Sequence, residues 1–172
     1  MKQRTPLPRA IASCLLALLV TACSQAVTTP IESAHATPPR KAAEATTPKI
    51  IVHRDAYCGC CHLWVEHLRK EGFTVDDRVE EAMSPVKERL GILPAHASCH
   101  TAEIEGYVIE GHVPASDIRR LLRDKPAIRG LVLPGMPMGS PGMEVDGVDA
   151  PPYTVLALGK DGSTKPYAEH TP

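Results

Sequence analysis

Apolar residues fall along this chain in blocks whose spacing changes with position. Lys49 to Asp55 carries Ile50, Ile51 and Val52 in an unbroken run, the pattern of a strand covered on both faces. Cys61, Trp64, Val65 and Leu68 then recur at i, i+3, i+4 and i+7, one face of a helix that Gly72 stops. Phe73 to Val79 predicts a second strand, and Ser84 to Leu90 a short helix with Ser84 as N-cap and Pro85 at its first position. From Cys99 to Val113 the pattern is strand, turn, strand, with Gly106 at the turn. Pro114 and Ser116 lead into a helix holding Ile118, Leu121 and Leu122, ended by Pro126. The stretch from Leu131 to Val145 has too much proline and glycine for regular structure. Tyr153 to Leu158 and the closing residues, joined through Gly159 to Gly162, predict a terminal hairpin.

The order over residues 49–124 is βαβαββα, and its β–α–β units imply a parallel pair with a right-handed crossover. Residues 49–172 fit one domain of ordinary size. The chain has a single tryptophan, Trp64, and a single phenylalanine, Phe73, so valine, isoleucine and leucine must fill the core. There is no internal repeat.

The N-terminus has a different composition. Lys2, Arg4 and Arg9 precede an apolar run, Ala10 to Val20, too short to span a bilayer. The run ends in Val20-Thr21-Ala22-Cys23, which resembles the bacterial lipobox, in which the leader is cut before a cysteine that is then lipidated. Residues 1–22 are therefore expected to be a lipoprotein signal peptide, and Cys14 to be discarded with it. Residues 23–48 hold Pro30, Pro38, Pro39 and Pro48 among Ala, Thr and Ser, the composition of a disordered tether. Cleavage removes three positive charges and no negative ones, taking the formal net charge from -1 to -4. That balance offers no footprint for nucleic acid and no attraction to anionic lipid, leaving the lipid on Cys23 as the only anchor. The expected location is the bacterial cell envelope, facing the periplasm.

The chemistry concentrates in Tyr57-Cys58-Gly59-Cys60-Cys61, which follows the first strand and opens the first helix. A helix N-terminus presents free amide N–H groups and the positive end of the macrodipole, which favour thiolate over thiol. Cys61 starts the buried stripe, while Cys58 sits near the N-cap. Thiolates serve both redox exchange and soft-metal binding, and Cys99 adds a fourth sulfur downstream. Cys60 and Cys61 point in different directions from a helix, so they suit bridging of neighbouring ions better than chelation of one.

The order of elements, with cysteines at the first βα junction, resembles the thioredoxin/glutaredoxin fold, here carrying a C-terminal Met/Pro/Gly loop and a hairpin extension. Tyr57-Cys58-Gly59-Cys60-Cys61 resembles the thioredoxin active-site run with Cys60 replacing the proline. The resemblance implies an exposed nucleophile at Cys58 and a buried resolving thiol at Cys61. It also places Ser98-Cys99-His100-Thr101 where such proteins carry a cis-proline facing that pair. Taken with YVIEGHVPA and PGMPMGSPGME, these motifs resemble a bacterial thioredoxin-like copper-resistance family with a CxCC motif, first described as a domain of unknown function. That resemblance implies copper, as Cu(I), on Cys58, Cys60, Cys61 and Cys99 in a multinuclear thiolate site.

His100 adjoins Cys99, and neighbours on a strand face opposite sides, so ligation by both requires a bend. Met136 and Met138 lie in a flexible loop that is able to supply thioethers, and Met143 follows as a weaker candidate. For His112, a helix-capping role beside Asp117 is preferred to one at the thiols. His53 and His62 are assigned surface or core roles. The functions open at this point are Cu(I) sequestration, delivery to a copper exporter or another envelope copper protein, and copper redox turnover. The rival is a thiol–disulfide oxidoreductase using Cys58 and Cys61 as its catalytic pair.

Overall fold

The computed structural model describes residues 48–172. The leader, Cys14, Cys23, His35 and nearly all of the tether lie outside the described residues. Seven strands form one sheet in the order β2-β1-β3-β4-β5-β6-β7. In chain order the elements are β1 (Lys49–Asp55), α1 (Gly59–Lys70), β2 (Thr74–Glu80), α2 (Met83–Leu90), β3 (His100–Ile104), β4 (Tyr107–Glu110), α3 (Ala115–Asp124), β5 (Gly130–Val132), β6 (Tyr153–Leu158) and β7 (Thr164–His170). β1 and β2 pair in parallel, and β3 pairs antiparallel with both β1 and β4. This is the thioredoxin-like α/β arrangement. Among the described residues no helix is long and apolar enough to cross a membrane.

The sheet is covered on both faces, and the alternation of side chains along its strands shows how. Ile109, Leu131 and Ala157 join Trp64, Val65, Leu68, Ile118 and Leu121 in the main core, which puts α1 and α3 on one face. Their sequence neighbours Val108, Val132 and Leu158 instead meet Ile92 and Leu90 on the opposite face, beside the end of α2. The main core is filled mostly by Val, Ile, Leu and Ala around Trp64 and Phe73, as the composition requires.

Two local expectations are corrected. Ala82, not Ser84, occupies the N-cap of α2, and it makes no side-chain cap bond. Pro85 is consequently the third helical residue, which costs no intrahelical hydrogen bond because the first four N–H groups have no partner there. The Pro/Gly-rich stretch also begins with a strand, since Gly130–Val132 forms β5 between β4 and β6. Gly130 permits that pairing: a Cβ at this position would collide with the Val108 backbone carbonyl. The terminal hairpin forms as β6 and β7 and extends the same sheet through β5.

Because Leu131 is fully buried in the main core, the extension and the thioredoxin-like part should unfold together. Leu131→Ala is expected to lower stability by about 2–5 kcal/mol. Urea unfolding followed separately by Trp64 fluorescence and by far-ultraviolet circular dichroism should give coincident, shifted transitions; non-coincident ones would show an independent extension.

Candidate metal centre

β1 ends in a tight turn, where the Tyr57 N–H donates to Asp55 Oδ1 at 2.7 Å and the Cys58 N–H to the Asp55 carbonyl at 3.3 Å. The turn delivers Cys58 to the N-cap of α1, where its Sγ accepts the Cys61 N–H at 3.3 Å. Cys61 is fully buried at the head of the apolar stripe, as the periodicity requires. Cys58 and Cys61 are joined by a disulfide, while Cys60 and Cys99 are free thiols.

Cys99 reaches this helix end from across the sheet. The β1–β3 ladder ends at Arg54 and His100, so Cys99 lies in the bend just before β3. Its Sγ is 4.0 Å from that of Cys60, and Cys60 Sγ is 3.5 Å from Cys58 Sγ. All four sulfurs lie within 4.8 Å of one another. Ligands about 2.3 Å from a shared ion in tetrahedral array stand about 3.8 Å apart, so the Cys58–Cys60 and Cys60–Cys99 separations suit ions held between the sulfurs. Cys58 and Cys61 are available as thiolates only after their disulfide is reduced.

Because Cys99 precedes the strand, His100 escapes the alternation that would have turned it away. Its Nδ1 stands 3.4 Å from Cys99 Sγ, while its ring packs against Trp64 at a tilt of 33° with centroids 4.3 Å apart. His100 Nε2 is buried and finds no hydrogen-bond partner among the described residues. Burial, then the neighbouring His112 and Lys87, hold the His100 imidazole far below its ordinary range, so it is neutral.

His112 is the residue that sequence reasoning placed elsewhere. Pro114 holds the N-cap of α3 without a side-chain bond, and His112 caps nothing. Instead it is fully buried, with Nε2 3.2 Å from Cys99 Sγ. Its Nδ1 donates to the Pro141 carbonyl at 2.9 Å, which fixes the tautomer and aims the Nε2 lone pair at the thiols. Burial depresses its pKa as well. The available signal was the spacing of His112 from Cys99, with a two-strand turn between them that brings both ends of the hairpin together.

Pro141 belongs to the Met/Pro/Gly loop, which packs on the first turns of α1. Gly142 has φ +83°, and a Cβ there would lie 2.8 Å from Trp64 N and 3.1 Å from Cys60 O. The loop brings Met136 Sδ to 3.8 Å from Cys60 Sγ. Met138 stays exposed, and no hydrogen-bond contact joins it to the cysteines among the described residues. His62 is exposed, and His53 is buried between Glu80 and Glu103 at 2.6 and 3.0 Å, consistent with surface and core roles.

Burial, and secondarily Cys60, push the Cys99 thiol up to about 11. Without a metal it is therefore protonated, and an incoming soft cation has to displace the proton. Cysteine sulfur, thioether sulfur and neutral imidazole are the donor types that copper takes.

The matches to known proteins agree with this arrangement. Residues 96–143 match the family described as "Protein of unknown function, DUF411", a span that contains Cys99, His100, His112 and the methionine loop. A solved structure named "Copper resistance protein copG- Form 2" is 47% identical, with a TM-score of 0.69, covering 73% of this chain and 99% of that one. A second, "Copper resistance protein copG- Form 1", is 46% identical with the same TM-score, covering 74% and 100%. The chain belongs to the CopG copper resistance family. No curated protein matches it. In this CopG-family chain the cysteines of the first βα junction lie outside the span of the family model, and the fold returns them to it.

The neutral histidines give the family member an expected pH response. His100 and His112 have folded-state pKa values below the unfolded value of about 6.5. Below that pH the unfolded chain binds protons that the folded one refuses, so their contribution is full above about 6.5 and is lost as pH falls. Each contributes up to about 1.4 kcal/mol per pH unit in that window. The drop in urea midpoint between pH 7.5 and pH 5, measured on metal-free protein, should shrink in His112→Gln relative to the parent. An unchanged drop would show that His112 is not held neutral.

Proposed function

We propose that this protein is a copper-binding lipoprotein of the bacterial cell envelope, tethered by a lipid on Cys23 and facing the periplasm. The Cys58–Cys61 disulfide is first opened by a thiol reductant, which takes up the pair of oxidising equivalents as its own disulfide. The protein then holds Cu(I) on the thiolates of Cys58, Cys60, Cys61 and Cys99, with His112 and Met136 as further donors, and so contributes to copper resistance. Four sulfurs so close together can bridge neighbouring ions, which favours a multinuclear site over a single ion. Its other partners are then a copper exporter or another envelope copper protein.

One observation carries the reading. Cys60 and Cys99, 39 residues apart in sequence, stand 4.0 Å apart, with the thioether of Met136 3.8 Å from one and the free Nε2 of His112 3.2 Å from the other. An oxidoreductase working through Cys58 and Cys61 needs none of these four groups.

The Cys58–Cys61 disulfide supports a second activity at the same place. Two thiols closing to a disulfide release two electrons and two protons, enough to convert two Cu(II) ions to Cu(I). The same pair, with copper left out, is the dithiol of a thiol–disulfide oxidoreductase.

Elemental analysis of the full-length protein decides between these. The protein is reduced, loaded anaerobically with Cu(I) and desalted against a competing chelator. Several coppers per chain should be retained, and most should be lost in Cys99→Ser. Retention of none, with turnover of a model disulfide by the metal-free protein, would shift the function to the oxidoreductase. Cys60→Ser should lower the copper count while leaving Cys58 and Cys61 able to form their disulfide, as thiol counting would show; full loading in that variant would exclude a bridging role for Cys60.

A further inference from the structure

Glu110 is a fully buried carboxylate at the end of β4 that touches none of the sulfurs yet collects three donors from three directions. Oε1 accepts the Ser98 backbone N–H at 2.6 Å and the Lys87 ammonium at 2.5 Å. Oε2 accepts the Thr101 hydroxyl at 2.6 Å. Ser98 and Thr101 bracket Cys99 and His100. The carboxylate thus holds both shoulders of the bend that presents Cys99.

The next residue completes the hold. Gly111 has φ +77°, and a Cβ there would lie 2.8 Å from both Cβ and Oγ of Ser98, so Ser98 sits flush against bare backbone. Its hydroxyl donates to the Gly135 carbonyl, and the Gly135 N–H donates to the Ala97 carbonyl at 3.2 Å. Gly135 directly precedes Met136. One anchored residue, Ser98, therefore registers the Cys99 bend against the methionine loop.

We infer that Glu110 is a positioning residue for the metal centre, setting the Cys99 sulfur against that of Cys60 through the Ser98 N–H. The inference rests on the copper reading for its consequence but not for its geometry. What matters is the reach of the side chain to Ser98 more than its charge. Glutamine keeps an oxygen at the same reach, whereas aspartate keeps the charge and falls one methylene short. Lys87 is long and flexible enough to follow a retracted carboxylate. A role confined to the Lys87 ion pair therefore predicts that Asp outperforms Gln, and positioning predicts the reverse.

The test uses full-length protein in the state with the Cys58–Cys61 disulfide closed and no metal. Cross-linking of Cys60 to Cys99 by dibromobimane is timed and located by peptide mass mapping. Glu110→Gln should cross-link at close to the parent rate and Glu110→Asp roughly tenfold more slowly, since a displacement of about 1 Å is costly to a reaction that needs two groups in register. Asp117→Asn, at a buried acid that pairs with His170 at 2.7 Å, controls for lost stability and should match the parent. Copper affinity, by competition with a chelator, should follow the same order, falling about 10–100-fold in Glu110→Asp. Asp at or above Gln, or equal rates in all variants, would overturn the inference. The expected cross-linking order with copper affinity unchanged throughout would leave Glu110 as the positioning residue and remove Cys60 and Cys99 from the copper site.

Discussion

The antiparallel pairing of β3 with β1 is the interaction on which the centre depends. It runs from Ile51–Glu103 to Arg54–His100 and stops there. β1 goes on one residue to Asp55, then turns into α1, while the chain entering β3 has just passed through Cys99. Two segments remote in sequence thus converge at one end of one ladder. A register slip of a single residue would turn the β3 side chains to the opposite face and separate Cys99 from Cys60. The buried run on β3 makes such a slip expensive, because Ala102 and Ile104 would leave the main core together.

The elements around that ladder were legible because their apolar positions carry the information. The stripe Cys61, Trp64, Val65 and Leu68 has one periodic solution, and the buried residues of α1 are those four. Ile50 to Val52 and the two halves of the hairpin are similarly constrained. β5 escaped because three residues are too few to show a period and lie against a proline-rich loop. The cap of α2 escaped because Ser84 is a good N-cap in isolation, yet the helix starts before it, at Met83. Tertiary placement of β2 and α2 outweighs a preference of that size.

The centre itself was half legible. Three clustered cysteines at a strand–helix junction announce their chemistry, and the likeness to a known family pointed to Cys99. His112 did not announce itself, because its role follows from a hydrogen bond to Pro141 that no local pattern predicts. Nor did the bend that frees His100 from strand alternation. Met136 and Met138 were equivalent in sequence, two residues apart in the same proline-glycine setting. Both are exposed, and the loop conformation separates them by bringing only Met136 to Cys60. Site residues contributed by irregular backbone are the ones a periodic analysis is least equipped to distinguish.

Gly142, lodged against the backbone of Cys60 and Trp64, bears on how an ion would come and go. With no gap between loop and helix, and with Ser140 and Pro141 buried behind it, the loop is not hinged as a door. The part of it that stands in solvent beside Cys60 is the side chain of Met136, which is more than half exposed. A thioether on three rotatable bonds swings on the picosecond-to-nanosecond scale without moving any main chain. An ion passing this end of the molecule would therefore meet one swivelling arm on a fixed wall, and the arm would yield at the pace of a rotamer.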